Sequence, residues 1–123
     1  MRLSIVPEGS LPVYRQLYEE IFSQIVSGEL APGTALPPIR TVARELGISV
    51  ITVRSAWDAL ENDGLISTRA GSGCSVAAVN SDKLRELKEK AVSEQIKALT
   101  DSAKKLCFTE DELIELIKKT FEN

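Results

Sequence analysis

The sequence contains no histidine. Histidine-based acid–base catalysis and most zinc sites are therefore excluded. Cysteine is scarce: Cys74 and Cys107 form no paired spacing motif, so a disulfide scaffold is not expected and a reducing cytoplasm fits. Apolar runs extend only a few residues, which excludes a bilayer-spanning helix. The opening stretch MRLSIVPEGS lacks the apolar core and cleavage site of a secretion signal, so a cytoplasmic location is expected. No clustered set of acid, base and nucleophile is present, and neither enzyme activity nor a cofactor or metal is expected. Basic residues are not in excess either: 15 Lys and Arg face 18 Asp and Glu, for a net charge of -3. That balance counts at first against nucleic acid, whose binders usually carry a basic footprint. The 123 residues fit one domain, or one domain with a short appendage.

The charge is unevenly composed. Up to Ala78 all six basic residues are arginine (Arg2, Arg15, Arg40, Arg44, Arg54 and Arg69), against eight acids. Beyond Ala78, eight of the nine basic residues are lysine, the exception being Arg85. The planar arginine fork suits bidentate recognition of phosphate and guanine, whereas lysine is a hydrated point charge.

Apolar residues at three- and four-residue steps predict a helix over residues 11–27, with Leu11, Tyr14, Leu17, Tyr18, Ile21, Ile25 and Val26 on its inner face. Gly28 ends that pattern and Pro32-Gly33 makes a turn. Pro37-Pro38 opens a second, short helix, which buries Ile39, Val42, Ala43 and Leu46 and closes at Gly47. Ser49 is suited to cap a third helix from Val50 to Asn62, with Val53, Ala56, Trp57 and Leu60 as its inner stripe and Gly64 as its stop. Two extended runs, 65–69 and 74–77, flank Ala70-Gly71-Ser72-Gly73 and predict a hairpin. After Asn80 the chain is charged and free of glycine and proline, with a helix expected over 81–106. Its apolar stripe shifts from Leu84, Leu87 and Ala91 to Val92, Ile96, Leu99, Ala103 and Leu106, an offset that resembles a stutter. Thr109 and Glu112 form a capping box for a last helix bearing Leu113, Ile114, Leu116, Ile117 and Phe121.

Three helices, a tight turn at Gly47 and then a hairpin give the layout of a winged helix-turn-helix. The expected class is therefore mainly α with a small β-hairpin. A winged helix-turn-helix domain over 1–78 precedes a two-helix dimerisation tail over 79–123. In that arrangement the amino-terminal turn of the third helix faces the major groove. Ser49, Val50, Ile51, Thr52 and Arg54 are then the positions directed at DNA. Arg54 and Thr52 can donate to bases or phosphates, and Val50 and Ile51 can meet thymine methyls. A rival reading has Val50 and Ile51 staple the helix start against the second helix.

These residues also carry a family resemblance. Residues 13–77 contain Tyr14-x-Gln16-Leu17, Ile25-Val26-Ser27-Gly28, Pro32-Gly33-x-x-Leu36-Pro37-x-x-Arg40 and Ala43-x-x-Leu46-Gly47-Ile48-Ser49. Thr52-Val53-Arg54, Leu60-Glu61-x-x-Gly64-Leu65-Ile66 and Gly71-x-Gly73 follow in the same register. The segment resembles the DNA-binding domain of GntR-type bacterial transcription regulators. The short tail and Ser49-Val50-Ile51-Thr52 resemble the YtrA subfamily. The resemblance implies phosphate or guanine contacts for Arg40, a phosphate contact for the capping hydroxyl of Ser49, and phosphate and base contacts for Thr52 and Arg54. It places Gly71 where the wing backbone approaches the minor groove. Arg44 is a further phosphate candidate by position. Two departures predict modest affinity per monomer: Val50 stands where many members have arginine, and Ser72 where the wing usually has lysine.

The expected partner is double-stranded DNA carrying an inverted repeat, bound by a homodimeric repressor. The dimer would form through Val92, Ile96, Leu99, Ala103, Leu106, Leu113, Ile117 and Phe121. Resemblance to the YtrA group implies genes of transport proteins as targets. A small-molecule effector is conceivable, although the sequence identifies no residues for one. The alternative is a winged-helix protein-interaction module without specific DNA binding. Gly71-Ser72-Gly73 lacks the third glycine and the lysine of a phosphate loop. Cys74 is expected to be a small strand residue, and Cys107 to pack between the tail helices.

Overall fold

A computed structural model describes residues 3–9, 11–71 and 73–123. They form two compact units, 1–84 and 85–123. The element order is α1 (Val13–Ser27), α2 (Ile39–Leu46), α3 (Val50–Asn62), β1 (Ile66–Arg69), β2 (Gly73–Val76), α4 (Ser81–Lys105) and α5 (Glu110–Glu122).

Helix α1 starts two residues later than its apolar pattern suggests. Pro12 sits at its N-cap, and Leu11 remains outside the helix and exposed. The side chain of Gln16 fixes this entry: its Oε1 accepts from the Val6 backbone N–H at 2.6 Å, and its Nε2 donates to the carbonyls of Val6 and Leu11, both at 2.8 Å. The buried residues of α1 are Leu17, Tyr18, Ile21, Phe22 and Gln24, while Tyr14 stays exposed. They pack on the stripe Val53, Ala56, Trp57 and Leu60 of α3, together with Val42 and Ala43 of α2 and Leu65, Ile66 and Val76 of the hairpin. Removing so much apolar surface from water supplies the main force that holds the unit together. The Tyr18 hydroxyl donates to Asp63 Oδ2 at 2.5 Å, which joins α1 to the end of α3.

The turn between α2 and α3 depends on Gly47. Its φ of +68° lies in the left-handed region, and the amides of Gly47 and Ile48 donate to the carbonyls of Arg44 and Ala43. This Schellman arrangement satisfies the end of α2 and redirects the chain within two residues. Ser49 then caps α3, its Oγ accepting from the Thr52 amide at 3.1 Å. Strands β1 and β2 pair antiparallel with Ile66 opposite Val76 and Arg69 opposite Gly73. Residues 33–36 add a short edge. Leu36 N–H donates to the Cys74 carbonyl, Val76 N–H to that of Thr34, and Ala35 bridges Ser75. Three packed helices with this edge and hairpin make a winged helix-turn-helix.

In the second unit, α4 ends in another Schellman turn. The amides of Cys107 and Phe108 donate to the carbonyls of Lys104 and Ala103. The left-handed position falls on Cys107, with φ +63°, the one non-glycine residue of positive φ among the described residues. Cys107 is therefore exposed in a turn and does not pack between the tail helices, contrary to the sequence expectation. Relative to glycine, an L side chain there costs roughly 1–2 kcal/mol, partly offset by the greater freedom glycine gains on unfolding. Cys107→Gly should raise thermal stability by about 0.5–1 kcal/mol, measurable by calorimetry.

Helix α5 begins with the capping box expected from the sequence. Glu112 N–H donates to Thr109 Oγ1 at 3.2 Å, and Thr109 N–H donates to Glu112 Oε1 at 3.0 Å. The hydrogen bonds from the Thr109 backbone and side chain hold the Glu112 carboxyl below its ordinary value. A carboxyl depressed on folding stabilises the helix above its unfolded range, and this contribution is lost as pH falls through the depressed value. In an NMR acid titration the Thr109 amide should shift with a midpoint below that of an ordinary glutamate. The shift should vanish in Glu112→Gln.

Candidate nucleic-acid interface

The amino-terminal half of α3, the start of α2 and the first residues of β2 surround a cleft of about 500 Å³. Pro37, Pro38 and Ile39 form one side, Val50, Arg54 and Trp57 another, and Gly73 and Cys74 a third. Arg40 opens onto the same cleft. Val50, Arg54 and Trp57 reach it together because steps of four and three place them on one side of a helix.

Arg40, Arg44 and Arg54 are all exposed, and among the described residues none is joined in an ion pair. The ion pair described in this unit, Arg15–Glu19 at 3.6 Å, lies on α1, where Arg15 also stacks over the Tyr18 ring. Two acids near the end of α3 are held by hydroxyl groups: Glu61 accepts from Thr68, and Asp63 from Tyr18. The arginines of α2 and α3 thus remain available to an anion, while these two acids are engaged by hydroxyl groups at the far end of α3.

Ser49 and Thr52 carry linked hydroxyls, with 2.8 Å between Oγ and Oγ1. A hydroxyl has one donor and two acceptor positions. The pair can therefore keep the cap and still contact one phosphate. Val50 and Ile51, expected to face DNA together, diverge. Ile51 is 76% exposed, whereas Val50 is half-buried and lines the cleft. For Val50 this position is close to the packing alternative, since its cleft neighbours are Pro37 and Pro38. Gly71 is exposed at the hairpin tip with φ +79°. Ser72, where the sequence lacks the wing lysine, lies outside the described residues.

Among the tail positions named for dimerisation, Val92, Ile96, Leu99, Leu106, Ile117 and Phe121 are exposed and Leu113 is half-buried. Ala103 differs. It is only 8% exposed and so has little surface left to offer a partner. The sequence reading also missed Trp57 and Cys74 as neighbours of Arg40 and Arg54. The Arg54–Trp57 spacing was a usable signal, but the approach of β2 is a tertiary fact.

The fold and this arginine-bearing helix pair define a helix-turn-helix regulator of the winged type. Residues 13–76 match the family model of bacterial regulatory proteins, gntR family. The chain is 32% identical over 111 residues to the uncharacterized HTH-type transcriptional regulator YhcF of Bacillus subtilis, covering 90% of this chain and 91% of that one. It is 30% identical over 117 residues to the HTH-type transcriptional repressor YtrA of Bacillus subtilis, covering 95% and 90%. Among solved structures, the DNA-binding domain of AraR in complex with operator ORR3 aligns with a TM-score of 0.53 and 32% identity, over 63% of this chain and 93% of that one. The chain belongs to the GntR family and is a YtrA-like transcription regulator.

Proposed function

We propose that this regulator acts as a homodimeric repressor on an inverted-repeat operator, with α3 in the major groove and Arg54 as its main base reader. The observation that carries the proposal is the set of exposed arginines, Arg40, Arg44 and Arg54, on the two helices of the helix-turn-helix, none joined in an ion pair among the described residues. Arginine to guanine is the commonest specific base contact, so a guanine is expected in each half-site. Arg44, Ser49 and Thr52 would hold phosphates, Ile51 would meet a thymine methyl, and Gly71 would approach the minor groove. The complex of the AraR domain with its operator supports DNA as the partner. The role of Bacillus subtilis YtrA as a transcriptional repressor supports repression.

The tail supports the dimer. Helix α5 has 13 residues and none of them is buried. Isolated helices shorter than about 12–15 residues are marginal in water, so this one needs a covering surface. A second copy, bringing its own Val92, Ile96, Leu99, Ile117 and Phe121, would supply it. Resemblance to the YtrA group makes genes of transport proteins the proposed targets. A cytoplasmic location goes with this role, and no described helix is long and apolar enough to cross a membrane.

The experiment is footprinting on the protein's own upstream region, combined with genome-wide mapping of bound sites. Two protected half-sites about one helical turn apart, or a multiple of that, are expected. Protection of a single unpaired site would refute the dimeric model.

A further inference from the structure

The cleft at the head of α3 has more apolar surface than a phosphate backbone calls for. Its lining includes Leu36, Pro37, Ile39, Val50 and Trp57, and among the described residues its only charged side chains are Arg40 and Arg54. Its volume of about 500 Å³ matches a small-molecule site. Such sites are mostly apolar and carry a few polar groups that fix orientation. Here the two polar anchors are guanidinium groups that, among the described residues, have no ion-pair partner, and no described acid lines the cleft. A planar guanidinium fork pairs bidentately with a carboxylate. By contrast, the apolar recess lined by Ile25, Leu30, Val76, Val79 and Leu84 has no charged group among the described residues to orient a ligand.

We propose that this cleft binds a small amphipathic carboxylate, and that its occupancy excludes DNA because ligand and operator need the same two arginines. The apolar body of the ligand would lie against Val50, Pro37 and Trp57, and its carboxylate would meet Arg40 and Arg54. The regulatory half of this inference rests on the reading of α2 and α3 as the DNA-contacting face; the binding half does not. Such a regulator would sense its signal at the DNA surface itself.

Trp57 is the only tryptophan of the chain and lines the cleft, so its emission reports occupancy without DNA. The probe is 4-phenylbutyrate at constant ionic strength, compared with 4-phenylbutanol, which lacks the charge, and butyrate, which lacks the apolar body. Saturable change with 4-phenylbutyrate is expected. About tenfold weaker binding or worse is expected for each comparator and for Arg54→Ala, the scale of losing one charged hydrogen-bonding partner. The apparent Kd for labelled upstream DNA should rise in proportion to 4-phenylbutyrate and stay level with butyrate. Absence of a saturable Trp57 response, or equal binding of 4-phenylbutanol and of Arg54→Ala, overturns the site. Saturation that leaves DNA affinity unchanged overturns the competition. A protein that titrates with the probe but binds no DNA would uphold the site and refute the DNA-face reading.

Discussion

Replacing Arg40 and Arg54 together by alanine is expected to abolish specific operator binding while leaving the fold intact. Both side chains are exposed, and among the described residues neither enters an ion pair, so their removal opens no cavity and strands no partner. A good bidentate arginine–guanine pair discriminates by roughly 1–3 kcal/mol. A dimer loses each contact twice, so Arg54→Ala alone should cost about 2–6 kcal/mol, a weakening of about thirtyfold or more. Arg40→Ala should act more evenly across sequences and reduce the magnitude of the salt slope, as expected of a phosphate contact. Circular dichroism and thermal melts should match the wild type. Competition between specific and scrambled DNA then separates lost readout from lost attraction.

The second large effect concerns the tail. Ile96→Glu combined with Ile117→Glu places charges on exposed apolar positions of α4 and α5. Burying such charges against a second copy without partners is costly, so the dimer should dissociate. The winged domain would keep its contacts but act singly. Linked binding typically gains 10²–10⁴ over one module, so affinity for the full repeat should fall by about a hundredfold or more. Affinity for one half-site should hardly change. Analytical ultracentrifugation gives the oligomeric state, and anisotropy gives both affinities.

Much of the architecture could be read from local chemistry. Helix α3 runs over the predicted residues because a serine cap precedes it and glycine follows it. The Thr109 capping box starts α5 for the same reason: both partners lie within one turn. Two features that depend on distant or competing preferences were not legible. Apolar periodicity carried the first helix back to Leu11, but Pro12 and the side-chain bonds of Gln16 set its entry two residues inward. The position of Cys107 followed from where α4 ends, which places it at the left-handed residue of a Schellman turn that glycine usually fills. Periodicity likewise placed Ala103 in the apolar stripe offered for dimerisation, whereas it is only 8% exposed. At the interface, the capped start of α3, with Thr52 and Arg54 on it, was visible in the sequence. The separation of Val50 from Ile51 was not, since it depends on the Pro37-Pro38 segment folding against the helix.

The net charge of -3 is compatible with this reading. Glu19 lies on α1, paired to Arg15, and the two acids at the carboxyl end of α3 accept from hydroxyl groups, Glu61 from Thr68 and Asp63 from Tyr18. Without a strong basic field, non-specific attraction should be weak, and specificity should depend on two copies of a sparse arginine set.

The most direct test is fluorescence anisotropy of the wild-type protein at several salt concentrations, against its upstream inverted repeat, one isolated half-site and a scrambled sequence. Salt-sensitive binding is predicted, with the full repeat preferred to the half-site by about a hundredfold or more and the scrambled DNA weakest. Equal, salt-insensitive binding to all three, or none at the concentrations where the protein is dimeric, would contradict the account and favour a protein-docking role for the winged helix.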